Sequence, residues 1–76
     1  MIFIEFFHEG IDFECTSDMC GQEFSIDITA NDKSFEYLIQ IDKVDYSHVD
    51  EYGELTPEGL TCIVEDILVD DVGKFA

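Results

Sequence analysis

Leu60, Ile63, Val64, Ile67, Leu68 and Val72 recur at i, i+3, i+4, i+7, i+8 and i+12, the spacing of one face of an α-helix. Most of the first half of the chain instead has a period of two. Residues 2–7, IFIEFF, predict a short apolar strand. Residues 11–15, IDFEC, set Ile11, Phe13 and Cys15 against Asp12 and Glu14. Residues 23–30, EFSIDITA, set Phe24, Ile26, Ile28 and Ala30 against Glu23, Ser25, Asp27 and Thr29. Residues 34–42, SFEYLIQID, set Phe35, Tyr37, Ile39 and Ile41 against Ser34, Glu36, Leu38, Gln40 and Asp42. A change of period from two to 3.6 within one short chain leaves few folds open.

The connectors are His8-Glu9-Gly10, a longer loop from Thr16 to Gln22, and Asn31-Asp32-Lys33. All carry turn residues, so the strands are expected to form an antiparallel meander. The helix has its start signals in order. Thr56 is a good N-cap, Pro57 suits the first helical position, and Glu58 lies at the positive end of the helix dipole. Gly73 stands where a left-handed C-terminal residue is wanted. Asp70 and Asp71 stand at the negative end of the dipole, against their electrostatic interest. Neither the sheet nor the helix can bury its apolar face alone, so the helix must cover the sheet. The expected fold class is α+β: a four-stranded antiparallel meander (ββββα) with a C-terminal amphipathic helix packed on one sheet face. A chain of 76 residues is enough for a single domain spanning 1–76.

With the helix on one face, Asp12, Glu14, Glu23, Asp27, Glu36 and Asp42 are expected to point away from it. Nineteen acids stand against three lysines and no arginine, a formal charge of −16. So large a charge destabilises the compact state through self-repulsion, and three lysines cannot relieve it. Nucleic acid and anionic membranes would be repelled, whereas a basic protein would be attracted. The connection after the last strand adds Asp45, Asp50, Glu51, Glu54 and Glu58 without a balancing cation. Tyr46, Val49 and Tyr52 lie among those acids. Tyrosine beside carboxylates suits contact with Arg-rich surfaces, and equally these residues would serve to cap one end of the core.

Other chemistry finds little footing. Cys15-x4-Cys20 falls within zinc-ligand spacing, but no second close pair accompanies it, and Cys15 fits the inward strand pattern. An odd cysteine count suggests free thiols in a reducing cytosol. No EF-hand, phosphate loop or nucleophile motif occurs, and no Arg is present to hold an anionic intermediate. We therefore expect neither enzyme activity nor a metal or other cofactor. No apolar run approaches ~18 residues. Met1 to Phe7 lacks a basic leader and contains Glu5, so a signal peptide is not expected. The expected location is cytoplasmic, and the expected state is a monomer or homodimer.

Alternate residues on a strand lie ~6.6 Å apart and neighbouring strands ~4.8 Å apart, so carboxylates on that grid form an anionic lattice. DNA carries one charge per ~1.7 Å of helix axis, a comparable density. A rigid acidic sheet can therefore occupy a groove built for phosphates. In its length, its charge of −16, its lack of Arg and the acids on "IDFEC", "EFSIDITA" and "SFEYLIQID", the chain resembles a class of small acidic proteins of phages and mobile elements. That class includes DNA mimics, among them anti-CRISPR and anti-restriction proteins. The resemblance rests on no family motif. It implies an inhibitor that blocks a nucleic-acid-binding or nuclease site of a bacterial host's defence complex, acting in the host cytoplasm. An immunity protein or antitoxin that neutralises a basic nuclease has the same composition. A small phage assembly or scaffolding protein is the structural alternative. The residues expected to meet a partner are Asp12, Glu14, Glu23, Asp27, Glu36, Asp42, Asp45, Tyr46, Asp50, Glu51, Tyr52 and Glu54.

Overall fold

The computed structural model describes residues 1–76. Four strands, β1 (Ile2–His8), β2 (Ile11–Cys20), β3 (Glu23–Ala30) and β4 (Lys33–Gln40), form an antiparallel sheet in the order β1-β2-β3-β4. Helix α1 (Pro57–Asp71) follows and packs on one face. This is the α+β meander-plus-helix arrangement that the change of period predicts.

Three two-residue turns hold the strands in register. Glu9 and Gly10 close the first hairpin at φ 49° and 80°, and Asn31 and Asp32 close the third at 52° and 64°. Two consecutive left-handed residues match the right-handed twist of the paired strands, and Asn and Asp tolerate that region better than other side chains. Asn31 has a second task. Its Nδ2 donates to the carbonyl oxygen of Phe75 at 2.7 Å, tying the turn to the C-terminus.

The expected loop from Thr16 to Gln22 is not a loop. β2 continues through Cys20, and only Gly21 and Gln22 make the turn. Ser17 occupies an inward, buried position where the apolar alternation leads one to expect a hydrophobe. Backbone pairing on both sides carries the strand through this stretch: Ser17 lies opposite Ile2 of β1 and Ile26 of β3. At the other end of the sheet β4 stops at Gln40. Ile41–Lys43 form a 3₁₀ turn, so Asp42 lies beyond the strand on which it was expected.

The core lies between sheet and helix. Phe13, Cys15, Phe24, Ile26, Ile28 and Ala30 fill it from the two central strands, and Leu60, Val64 and Leu68 from α1. Ile63, Ile67 and Val72 are only half-buried and flank the contact. Thr56 caps the helix as expected, its Oγ1 accepting from the Gly59 N–H at 3.0 Å. Gly59 is required by proximity. A Cβ there would stand 2.7 Å from His48 Cβ and press on the His48 carbonyl oxygen.

Gly73 is not the left-handed terminator. Val72 keeps right-handed helical angles, and Val72–Phe75 tighten into a 3₁₀ turn. That turn drives Phe75 into the core, where its ring meets Phe13 and Phe35 edge-on, both at 5.2 Å. Asp71, expected to be a misplaced charge, is a fastener. Its Oδ2 accepts from the Tyr37 hydroxyl at 2.8 Å and faces Lys74 Nζ at 3.4 Å. Burial of the phenol and this bond push Tyr37 up to about 12, and the same bond, with Lys74, holds Asp71 below the usual carboxylate range. No helix is long and apolar enough to cross a membrane.

Candidate partner-binding face

The sheet face away from α1 is open. Strand parity and register place on it Phe3, Glu5 and Phe7 of β1, and Asp12, Glu14, Thr16, Asp18 and Cys20 of β2. Glu23, Ser25, Asp27 and Thr29 of β3 join them, with Ser34, Glu36, Leu38 and Gln40 of β4. Seven of these residues are carboxylic acids and none is basic. The register sets four of them in two like-charge pairs, Glu5 opposite Glu14 and Asp27 opposite Glu36. Cross-strand partners lie about 4.5–5.5 Å apart at Cβ, and like charges so placed are destabilising. One relief is visible: the Ser25 hydroxyl donates to Glu36 Oε2 at 2.7 Å.

The lysines lie elsewhere. Lys33 shares the inward parity of its partner Ala30, and its Nζ reaches the Ala76 carbonyl oxygen. Lys74 sits beside Asp71, over the rings of Phe35 and Tyr37. Lys43 borders a shallow groove lined also by Ile39, Val44, Ile63 and Ile67, on the helix side. Every basic side chain is therefore segregated from the open face. The Asp71–Lys74 contact is the one ion pair between a lysine and an acidic side chain.

Five of the residues singled out in the sequence, Asp12, Glu14, Glu23, Asp27 and Glu36, meet on this face. Asp42 lies at its border, in an open hollow with Glu23, Gly21, Gln22 and Gln40. The other six do not share the face. Asp45, Tyr46, Asp50, Glu51, Tyr52 and Glu54 belong to the connection between β4 and α1, which closes the core through the buried Leu55. Glu54 approaches the sheet corner, with its Oε1 3.9 Å from the Met1 amino group.

Within this connection two acids are structural. Asp45 caps a 3₁₀ turn (Tyr46–His48) by accepting from the Ser47 N–H at 3.0 Å, and that bond lowers its pKa. Asp50 Oδ1 accepts from the N–H groups of Tyr52, at 2.8 Å, and Glu54, at 3.1 Å. Tyr46 and Tyr52 are 86% and 80% exposed, so neither caps the core, whereas the half-buried Val49 does pack against it.

Sequence periodicity overlooks several residues of the face. Glu5 and the exposed Phe3 and Phe7 were hidden in IFIEFF, because an all-apolar reading ignores which of its residues face out. Asp18 was hidden by the supposed loop. Together with Leu38 of β4, the two phenylalanines put exposed apolar groups on both lateral strands, with the acids concentrated between them.

No group of three His, Cys, Asp or Glu side chains converges to hold a metal. Cys15 and Cys20 lie on opposite faces of β2, so they cannot share an ion. Burial pushes the Cys15 thiol up to about 11, the opposite of what a thiolate ligand or nucleophile needs. Comparison of the chain with family models, curated proteins and solved structures returns no match.

Proposed function

We propose that the protein is an acidic inhibitor that covers a basic nucleic-acid-binding surface of a bacterial host's defence nuclease complex, of the anti-CRISPR or anti-restriction kind, by mimicking phosphates. One observation carries the reading: seven carboxylates share the open face while all the lysines lie off it. A face kept only for solubility gains nothing from like-charge pairs such as Glu5–Glu14 and Asp27–Glu36, which oppose folding. A face that meets Lys and Arg gains steering, fast association and charge-assisted hydrogen bonds. The hydrogen-bonded sheet holds these groups in place before contact, which limits the ordering cost of binding.

The test is inhibition across a panel of purified nucleases: guide-loaded CRISPR effectors, restriction endonucleases and basic nuclease toxins. Cleavage of a defence effector's DNA substrate should be blocked by the wild-type protein. The double reversal Asp27→Lys with Glu36→Lys should block it at least ~10-fold less well, since a charge buried against a partner Arg is worth roughly 2–5 kcal/mol. Inhibition confined to a toxin nuclease would instead identify an immunity protein. Inhibition of a defence effector that is indifferent to the reversal would overturn the assignment of this face.

A further inference from the structure

We propose that the free edge of β1 accepts an extended, basic segment of the partner as a fifth strand. The proposal rests on the reading of the acidic face given above and extends it to the strand beside it. β1 is a lateral strand of seven residues, paired on one side only, in one-to-one register with β2 from Ile2 to His8. It lacks lysine, proline and a bulge, and its one charged protection is Glu5, which repels an acidic strand but not a basic one. Its open-face side chains are Phe3 and Phe7, 52% and 68% exposed, with Glu5 between them. The opposite edge, β4, begins with Lys33 and is joined to the C-terminal turn through Tyr37, Asp71 and Lys74.

Charge decides the occupant. In a fully overlapped antiparallel pair of two β1 strands, the pairing positions sum to ten, so Phe3 would face Phe7 and Glu5 would face Glu5 of the second copy. With Glu14 beside each Glu5, four carboxylates would stand in one row at a spacing of ~4.8 Å. Two bodies of charge −16 each would also have to meet. A strand with Arg or Lys opposite Glu5 reverses the sign of every one of those terms. Its cation sits between Glu5 and the rings of Phe3 and Phe7, where it meets both a carboxylate and aromatic faces. Apolar residues two positions to either side of it would cover the two rings. The backbone supplies affinity and the alternate side chains supply selectivity, as in strand-addition complexes.

The test uses the whole isotope-labelled protein and seven-residue peptides. One has Arg at its centre, Val two residues to either side and Thr elsewhere. A second has Glu in place of Arg. A third is the Arg peptide with alternate backbone amides N-methylated, and a fourth is a glycine-spaced arginine peptide of higher charge. Up to millimolar concentration, the Arg peptide should shift the amides of β1 and slow their hydrogen exchange. The Glu peptide and the N-methylated peptide should bind at least ~10-fold more weakly. Glu5→Lys should reverse the preference between the Arg and Glu peptides. Equal binding by the N-methylated peptide would overturn strand addition. So would peptide shifts confined to Asp12, Glu14 and Asp27, although the acidic face would then stand. Absence of binding by every basic peptide would overturn the edge and count against the face as well. A dimer formed through β1 would make the occupant a second copy.

Discussion

Asp27 and Asp50 are both exposed acids, yet they differ in what they do for the fold. Asp27 faces Glu36 across the strands and contributes repulsion, whereas Asp50 accepts two backbone N–H groups and shapes the turn before α1. Glu5→Gln and Asp27→Asn should each raise stability by about 0.2–1 kcal/mol, the range of cross-strand pair effects. Asp50→Ala should lower it by about 0.5–2 kcal/mol, as loss of a backbone-capping side chain does. Urea unfolding of the three variants checks all three signs, and a stabilising Asp50→Ala would contradict the role of that side chain. Tyr37 gives a pH test. Its folded pKa, about 12, lies above the ordinary value of 10.0. The stability it contributes is therefore fully present below pH ~10 and is lost as pH rises from 10 toward 12. Unfolding free energies of wild type and Tyr37→Phe should converge across that window. The phenolate absorbance of wild type minus variant should have its midpoint near 12. Asp71 works in the opposite direction, since its depressed pKa gives stability above the normal carboxylate range that is lost as pH falls through its folded value.

Among the elements, those with an unbroken period were legible and those without one were not. Ile11, Phe13 and Cys15 announce β2, but Ser17 at the next buried positions breaks the apolar alternation, and pairing from both neighbouring strands overrides it. Phe75 was illegible because its burial depends on a 3₁₀ turn that runs through Gly73, from Val72 to Phe75, where local pattern allows a simple stop. On the acidic face the central carboxylates followed from alternation alone. Which carboxylates oppose each other required the register, and the structural use of Asp45 and Asp50 required loop geometry that has no period. The helix contact makes a further prediction. Leu68→Ala should cost about 2–5 kcal/mol, because Leu68 is fully buried, and Ile67→Ala should cost less, because Ile67 is only half-buried. Gly59→Ala should destabilise, although Ala in an exposed helix position ordinarily gains about 1 kcal/mol over Gly. Thermal unfolding of the three proteins tests the packing, and a more stable Gly59→Ala would contradict the close approach of α1 to His48.

For the whole molecule, a charge of −16 opposes the compact state, and one lysine–carboxylate pair does little to offset it. Raising salt from low concentration to ~0.3 M shortens the Debye length below ~10 Å and should raise the melting temperature. A flat or falling trend would deny dense repulsion on the surface. The same salt should slow association with a basic partner, since steering is screened while the folded protein is stabilised. Opposite salt effects on stability and on association rate are the expected mark of a face that sacrifices stability for binding. The most direct measurement is an equilibrium competition on a nuclease that the protein inhibits, with labelled DNA substrate and labelled protein followed together. Phosphate mimicry predicts mutual exclusion, with each ligand's apparent Kd rising in proportion to the other's concentration, and no binding of DNA by the protein itself. A nuclease that holds both at once, each at full affinity, would contradict it.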